Sequence, residues 1–382
     1  MNHNTDVELG AAQLHRAREL ASQGQWGEAQ PLCEAAARSA PDLPGVFEFL
    51  GDLQFRLELW EPAARSYLAA IARAPHNAVL FRKLGDLQRL CHDHEGAAES
   101  YRREAELAHA PLPAGGTDAA ASYLELMKDC LTFLLWRASD GPLLELNARR
   151  PLVSFARMLR KIGLWRRTPP ISVREFGMDW PAQALTMIGK KRLDNIQTCV
   201  ERVLQDQIPG DLIEAGVWRG GATIFMRAIL RAYGDAKRKV WVADSFRGLP
   251  RPDSDKYPVD RGYDLSMWRS LAVSAEEVRE NFRRFDLLDH QVVFLEGWFA
   301  DTLPVAPIDH LAVLRLDGDL YESTMDGLVH LYSKLSPGGF AIVDDYYSAP
   351  PCRQAVDDFR RANAIQEDIV RIDWSGAFWR KQ

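Results

Sequence analysis

Three carboxylates in this sequence have the type and spacing to hold a hard cation. Asp317 ends the apolar run Leu311-Ala312-Val313-Leu314-Arg315-Leu316, and Asp344-Asp345 ends the run Phe340-Ala341-Ile342-Val343. If these runs are neighbouring strands, the acids meet at one rim, where they repel unless a cation or protons compensate them. Oxygen-only donors select Mg²⁺, which keeps waters or substrate oxygens in its remaining positions. The competing structural reading makes Asp344 or Asp345 the cap of a following loop and leaves Asp319 merely exposed. The cation reading is preferred.

A second constellation lies upstream. Asp211-Leu212-Ile213-Glu214-Ala215 reads as a strand, followed by Gly216, then Gly220-Gly221 and a helix from Ala222 to Tyr233. The turn lacks a full GxGxxG because Trp218 fills the place of the second glycine, and no P-loop lysine follows. Asp244 lies 28 residues beyond Gly216, further than the about 20 of a dinucleotide fold. Phosphate binding is therefore disfavoured. A nucleoside without phosphates fits better, and S-adenosylmethionine is such a ligand. Gly216, Gly220 and Gly221 would permit close backbone approach, while Asp244 accepts from the ribose hydroxyls. Taken alone, the glycines also suit an ordinary strand-to-helix turn.

The elements that must position these groups begin at about residue 208. Short apolar runs at 211–215, 240–244, 292–296, 311–317 and 340–345 alternate with helical stretches. This predicts an α/β, doubly wound (Rossmann-like) parallel sheet. Ligands of such sheets sit outside the carboxyl ends of the strands, where four of the five runs carry an acid.

The N-terminal third is different in kind. A period of 34 residues carries Trp26 to Trp60, Ala29 to Ala63 and Ala97, Pro41 to Pro75, and Tyr67 to Tyr101. Leu50-Gly51-Asp52-Leu53-Gln54 returns intact as Leu84-Gly85-Asp86-Leu87-Gln88. Helical patterning between the marks predicts about three tetratricopeptide-like helix pairs, each burying its apolar face on its neighbours. Gly51 and Ala63 are expected to be small so that paired helices can approach. The array serves either as a partner-binding groove or in packing and self-association. Ala110-Pro111-Leu112-Pro113-Ala114-Gly115-Gly116 reads as a linker. Residues 119–165 read as mostly helical, with basic side chains (Arg149-Arg150, Arg157, Arg160-Lys161, Arg166-Arg167) on a solvated face. The domains so drawn are 1–110, 111–174 and 175–382.

Composition excludes several classes. The 382 residues are 47% hydrophobic and 26% charged, enough for a substantial core. A net charge of −6 gives no global basic character for nucleic acid. Five scattered cysteines, none in CxxC spacing, suggest neither a disulfide framework nor a thiolate zinc site. No apolar run reaches membrane-spanning length, and residues 1–10 lack the apolar stretch of a secretory signal. A soluble, cytoplasmic enzyme with a nucleoside cofactor is the expectation.

The ordered motifs resemble the macrocin O-methyltransferase (TylF/MycF type) family over roughly residues 175–382. They are Thr186-Met187-Ile188-Gly189 with Arg192-Leu193 and Asn195, the run Gly210–Gly221, and Ala243-Asp244-Ser245-Phe246-Arg247-Gly248-Leu249-Pro250. Gly297-Trp298-Phe299 with Asp301-Thr302-Leu303-Pro304, Leu316-Asp317-Gly318-Asp319-Leu320-Tyr321-Glu322-Ser323-Thr324 and Pro337-Gly338-Gly339 leading to Asp344-Asp345-Tyr346 complete the match. The resemblance implies a class I S-adenosylmethionine-dependent enzyme that uses Mg²⁺ to methylate a sugar hydroxyl of a glycosylated natural product or glycan. It implies cofactor contacts from Met187, Glu214, Gly216, Gly220, Gly221, Asp244, Ser245, Gly297 and Trp298, with Gly297-Trp298 near the adenine. It assigns the metal to Asp317, Asp344 and Asp345 and the general base to Asp317. Asp319 is the alternative base, because on a strand end it would point to the same side as Asp317. The segment from Met178-Asp179-Trp180-Pro181 to Ile196 resembles the family's mobile cover over the site. A homo-oligomer is expected, with a protein partner or self-association through the repeats. Two rival readings are a catechol-type phenolic O-methyltransferase and an inactive tetratricopeptide scaffold.

Overall fold

The computed structural model describes residues 3–108, 119–139, 171–179 and 181–382. The linker expected at 110–116, the basic stretch from Arg149 to Arg167 and Trp180 lie outside the described residues. The chain divides into two compact units, Met1–Ala114 and Gly115–Gln382.

The first unit is all helical. Its pairs are α1 (His3–Ser22) with α2 (Trp26–Ser39), α3 (Val46–Arg56) with α4 (Trp60–Arg73), and α5 (Ala78–Leu90) with α6 (His94–Ala108). The 34-residue period extends to the backbone: the turn inside each pair has a left-handed residue at Gly24 (φ 79°), Glu58 (φ 58°) and His92 (φ 59°). Close approach explains the small residues. A Cβ on Gly51 would lie 2.5 Å from the Tyr67 ring, and one on Gly85 2.7 Å from the Tyr101 ring. Tyr67 donates to Asp52 (2.9 Å) and Tyr101 to Asp86 (2.7 Å), while Ser66 donates to Gln54 and Ser100 to Gln88, both at 2.7 Å. The second and third pairs thus share one close ring contact and two side-chain hydrogen bonds.

The second unit contains α7 (Ala119–Leu131), α8 (Ile171–Glu175), α9 (Lys190–Gln205), β1 (Asp211–Ala215), α10 (Gly221–Ala232), β2 (Val240–Asp244), α11 (Ala275–Arg284), β3 (Val292–Glu296), α12 (Phe299–Thr302), β4 (Leu311–Leu316), α13 (Tyr321–Leu331), β5 (Leu335–Val343), α14 (Pro350–Ala362), β6 (Val370–Arg371) and β7 (Ala377–Arg380). The sheet order is β3-β2-β1-β4-β5-β7-β6. The first five strands are parallel, whereas β7 runs antiparallel to both neighbours. The strands alternate between two cores. Leu212, Val242, Val313 and Ile342 pack with α7, α9, α10 and α11 on one face, while Ile213, Trp241, Leu314 and Val343 pack with α13 and α14 on the other. Each fully buried aliphatic chain contributes about 1.5–3 kcal/mol to this doubly wound arrangement.

Three expectations need correction. The boundary drawn at 175 falls too late, because Leu124, Met127 and Leu131 of α7 are buried in the α/β core. β5 starts at Leu335 rather than Phe340, and β6 and β7 are additions. Asp317 and Asp344 lie one residue past their strands, although the ladder carries on: Asp317 N donates to Ala215 O and Asp344 N to Leu316 O, both at 2.9 Å. Among the described residues no helix is long and apolar enough to cross a membrane.

Candidate active site

Strand order reverses between β1 and β4, so their carboxyl ends part and leave a crevice. Gly216 sits at its base with φ 92°, where a side chain would overlap the carbonyl oxygen of Asp317. Two adjoining cavities open there. The larger, about 380 Å³, is lined by Met187, Gly216, Trp218, Asp244, Ser245, Trp298, Asp317 and Asp319, with Leu249, Pro250 and Leu271 above. The smaller, about 130 Å³, is walled by Thr186, Met187, Arg192, Glu214, Asp317, Asp344, Asp345 and Trp374. The first is predominantly apolar with a few convergent acids, the usual make-up of a small-ligand site.

Asp244, at the end of β2, is fixed by its own loop. Its Oδ2 accepts from Val217 N and its Oδ1 from Phe246 N, both at 2.8 Å. Burial raises its carboxyl above the usual range, and those amides oppose the rise. The remaining lone pairs are available to hydroxyl donors. Ser245 donates to Gly248 O (2.8 Å) and accepts from Arg247 N (3.0 Å), which closes the turn behind the cavity. Trp218 holds φ 48°, the backbone conformation of the glycine it replaces, and its indole donates to Ser270 O at 2.8 Å. Sequence reading treated Trp218 only as a missing glycine; it is a wall of both cavities.

Gly220, Gly221 and Gly297 do not line either cavity. Their smallness serves the protein itself. A Cβ on Gly220 would reach Val278 at 2.8 Å, on Gly221 the Leu185 carbonyl at 2.5 Å, and on Gly297 Thr302 at 2.7 Å. Glu214 faces the smaller cavity, yet it is engaged with Arg315.

The predicted acids do converge. Ligand oxygens of Asp317, Asp344 and Asp345 lie within 4.8 Å of one another. Asp319 lines both cavities, as Asp317 does, whereas Asp344 and Asp345 line the smaller one. The strand alternation invoked to place it beside Asp317 does not apply, because β4 has ended and Asp319 stands at φ 54°. Burial, then the charge of Asp344, pushes the Asp317 carboxyl up to about 6. Burial, then Asp317, pushes Asp319 up to about 7. Asp345 is raised well above the carboxylate range by burial and by Asp319. Its Oδ1 accepts from Ser348 (3.2 Å), while its buried Oδ2 has no partner. An orphaned buried oxygen among crowded acids is the environment a hard divalent cation relieves.

Two cations that sequence reading did not assign organise this floor. Arg315 of β4, 1% exposed, donates through Nη1 to Glu214 and to Asp317 Oδ2 (3.0 Å), and through Nη2 to Asp344 Oδ1. Arg192 of α9 donates through Nη1 to Asp344 Oδ2 and through Nε to Asp373 Oδ2 (3.0 Å). The available signal for Arg315 was a guanidinium inside an otherwise apolar strand, which demands buried partners.

A doubly wound sheet with an apolar, acid-edged crevice at its switch point is the architecture of an α/β protein that takes its ligand outside the strand ends. The macrocin-O-methyltransferase (TylF) family matches residues 120–381. The 8-demethyl-8-(2,3-dimethoxy-alpha-L-rhamnosyl)-tetracenomycin-C 4'-O-methyltransferase of Streptomyces olivaceus is 52% identical over 264 residues, 69% of this chain and 94% of that protein. Demethyldecarbamoylnovobiocin O-methyltransferase of Streptomyces niveus is 59% identical over 210 residues, covering 55% of this chain and 80% of that protein. The solved O-methyltransferase NovP is 50% identical, with a TM-score of 0.61 over 69% of this chain and 99% of its own. The chain belongs to the macrocin-O-methyltransferase family, and it is an O-methyltransferase.

Proposed function

We infer that the chain transfers the methyl group of S-adenosylmethionine to a sugar hydroxyl of a glycosylated natural product, with Mg²⁺ held by Asp317, Asp344 and Asp345. The observation that carries this reading is the convergence of those three acids beside the cavity that contains Asp244 and Met187. The names of the relatives support the acceptor class: the tetracenomycin and novobiocin enzymes above, and the mycinamicin III 3''-O-methyltransferase of Micromonospora griseorubida, 54% identical over 211 residues. The sulfonium supplies an already activated methyl group. Mg²⁺, when bound, supplies positive charge that favours ionisation of the acceptor hydroxyl.

The remaining work falls to the chain. Asp244 takes the ribose hydroxyls, Trp298 and Met187 flank the nucleoside, and Leu249, Pro250 and Leu271 exclude water from the transfer path. Asp317 faces both cavities and receives the hydroxyl proton, with Asp319 beside it as the alternative acceptor. The helical unit is read as a tetratricopeptide array that binds a protein partner or a second copy.

The test is incubation with labelled cofactor, Mg²⁺ and three acceptors: a deoxysugar-bearing glycoside, its aglycone and a catechol. Label in the sugar alone is expected. Label chiefly in the catechol would give the phenolic reading instead, and absence of cofactor binding by calorimetry would leave only a scaffold.

A further inference from the structure

The three acids assigned to the cation are not held by the backbone alone. Both oxygens of Asp344 are occupied by guanidinium groups, Oδ1 by Arg315 and Oδ2 by Arg192. The Arg315 fork also reaches Asp317 at 3.0 Å and Glu214. The sheet places it there. Arg315 is level with Glu214 of β1 and Ile342 of β5 in the parallel ladder, so its side chain lies between the tips that carry Asp317 and Asp344. Arg192 approaches from α9 and is itself held between Asp344 and Asp373, with Trp374 5.6 Å from its guanidinium carbon. Buried carboxylates at such separations would splay apart without a fixed counter-charge. Asp345 is the exception, since its Oδ2 is buried and bonded to nothing.

We propose that Arg315 and Arg192 are positioning residues for the divalent cation: two guanidinium groups hold Asp317 and Asp344 convergent before it arrives, and Asp345 completes the set. The inference rests on the metal assignment under the proposed function. Planarity is what the task requires. One fork can bond three acids at fixed angles, whereas an ammonium is a single mobile point of charge.

The experiment is Mn²⁺ binding to the full chain, followed by electron paramagnetic resonance, for the native protein, Arg315→Lys and Arg192→Lys, with cofactor affinity measured by calorimetry without metal. Arg315→Lys is expected to weaken Mn²⁺ binding roughly 10–100-fold, the range for outer partners of metal ligands. Arg192→Lys, which loses a bond to only one of the three acids assigned to the cation, weakens it less. Cofactor affinity stays unchanged, and methyl transfer returns when Mg²⁺ is raised to saturation. Native or tighter Mn²⁺ affinity in both variants would overturn the proposal, since the guanidinium groups would then be idle or competing with the ion. A parallel loss of cofactor affinity would also overturn it, by showing that the arginines only support the fold. If Arg315→Lys does not fold, unchanged Mn²⁺ affinity in Arg192→Lys is decisive against it. A native protein that binds no Mn²⁺ refutes the metal assignment itself, whereas native binding with unaltered variants refutes only the role of the arginines.

Discussion

The α-carbon of Gly216 and the carbonyl oxygen of Asp317 approach so closely that no side chain fits between them. This contact joins β1 to β4 where the strand order reverses, and it couples the cofactor turn to the acid cluster. Gly216→Ala meets two penalties. A left-handed backbone costs an L-residue about 1–2 kcal/mol, and overpacking adds about 1–3 kcal/mol. The variant is expected to melt several degrees lower and to lose cofactor affinity and metal affinity together. Native calorimetric affinity for both would show that the two tips move independently.

Asp244 and Asp317 separate binding from chemistry. Asp244→Ala removes a carboxylate fixed by two backbone amides, and loss of charged hydrogen bonds of about 1.5–3 kcal/mol weakens cofactor binding roughly 10–100-fold. Asp317→Asn leaves that loop intact and lowers turnover by about 10²–10⁴, the usual contribution of a general base, with cofactor affinity nearly native. Titration calorimetry beside single-turnover rates reads both. Equal, mild effects from the two substitutions would contradict the division of roles.

The acid cluster also sets a pH dependence of stability. Asp317 at about 6, Asp319 at about 7 and Glu214 at about 8 all lie above their ordinary values, chiefly through burial. The folded state therefore binds these protons more tightly than the unfolded chain. Their stabilising effect is complete below about pH 4 and is lost as pH rises through 6 to 8. The metal-free protein should melt progressively lower between about pH 5.5 and pH 8, and Mg²⁺ should flatten that decline. Differential scanning calorimetry with and without Mg²⁺ reads the slope, and a rise across this window would contradict it.

In the helical unit, Gly51 packs against Tyr67 as Gly85 does against Tyr101. Alanine favours a helix over glycine by about 1 kcal/mol, yet here its methyl group would press on a buried ring at a cost of about 1–3 kcal/mol. Gly51→Ala and Gly85→Ala should each destabilise the protein in denaturant titration, by similar amounts. Stabilisation by either would mean that the tyrosine yields freely.

What could be read from sequence depended on how local the signal was. The first three strands appear as isolated apolar runs, and β1, β2 and β3 fall on 211–215, 240–244 and 292–296 as expected. The start of β5 was hidden because Pro337-Gly338-Gly339 resembles a turn, yet Leu335 already pairs with Leu311. β6 is only two residues long, too short to show alternation. The three acids were legible because each closes an apolar run. Arg192 was known only as part of a motif, since its partner Asp344 lies 152 residues away and only the fold brings them together. The packing role of Gly220 and Gly221 was not legible, because a glycine in sequence does not reveal which neighbour requires its smallness. Val278 and Leu185 are those neighbours.

Methyl transfer from labelled S-adenosylmethionine to a deoxysugar glycoside, followed while divalent cation is stripped and returned, probes the clustered acids most directly. Transfer should stop when chelator is added, resume when Mg²⁺ exceeds it, and fail to resume in the Asp345→Asn variant. Undiminished transfer in chelator, with the variant equally active, would contradict the account.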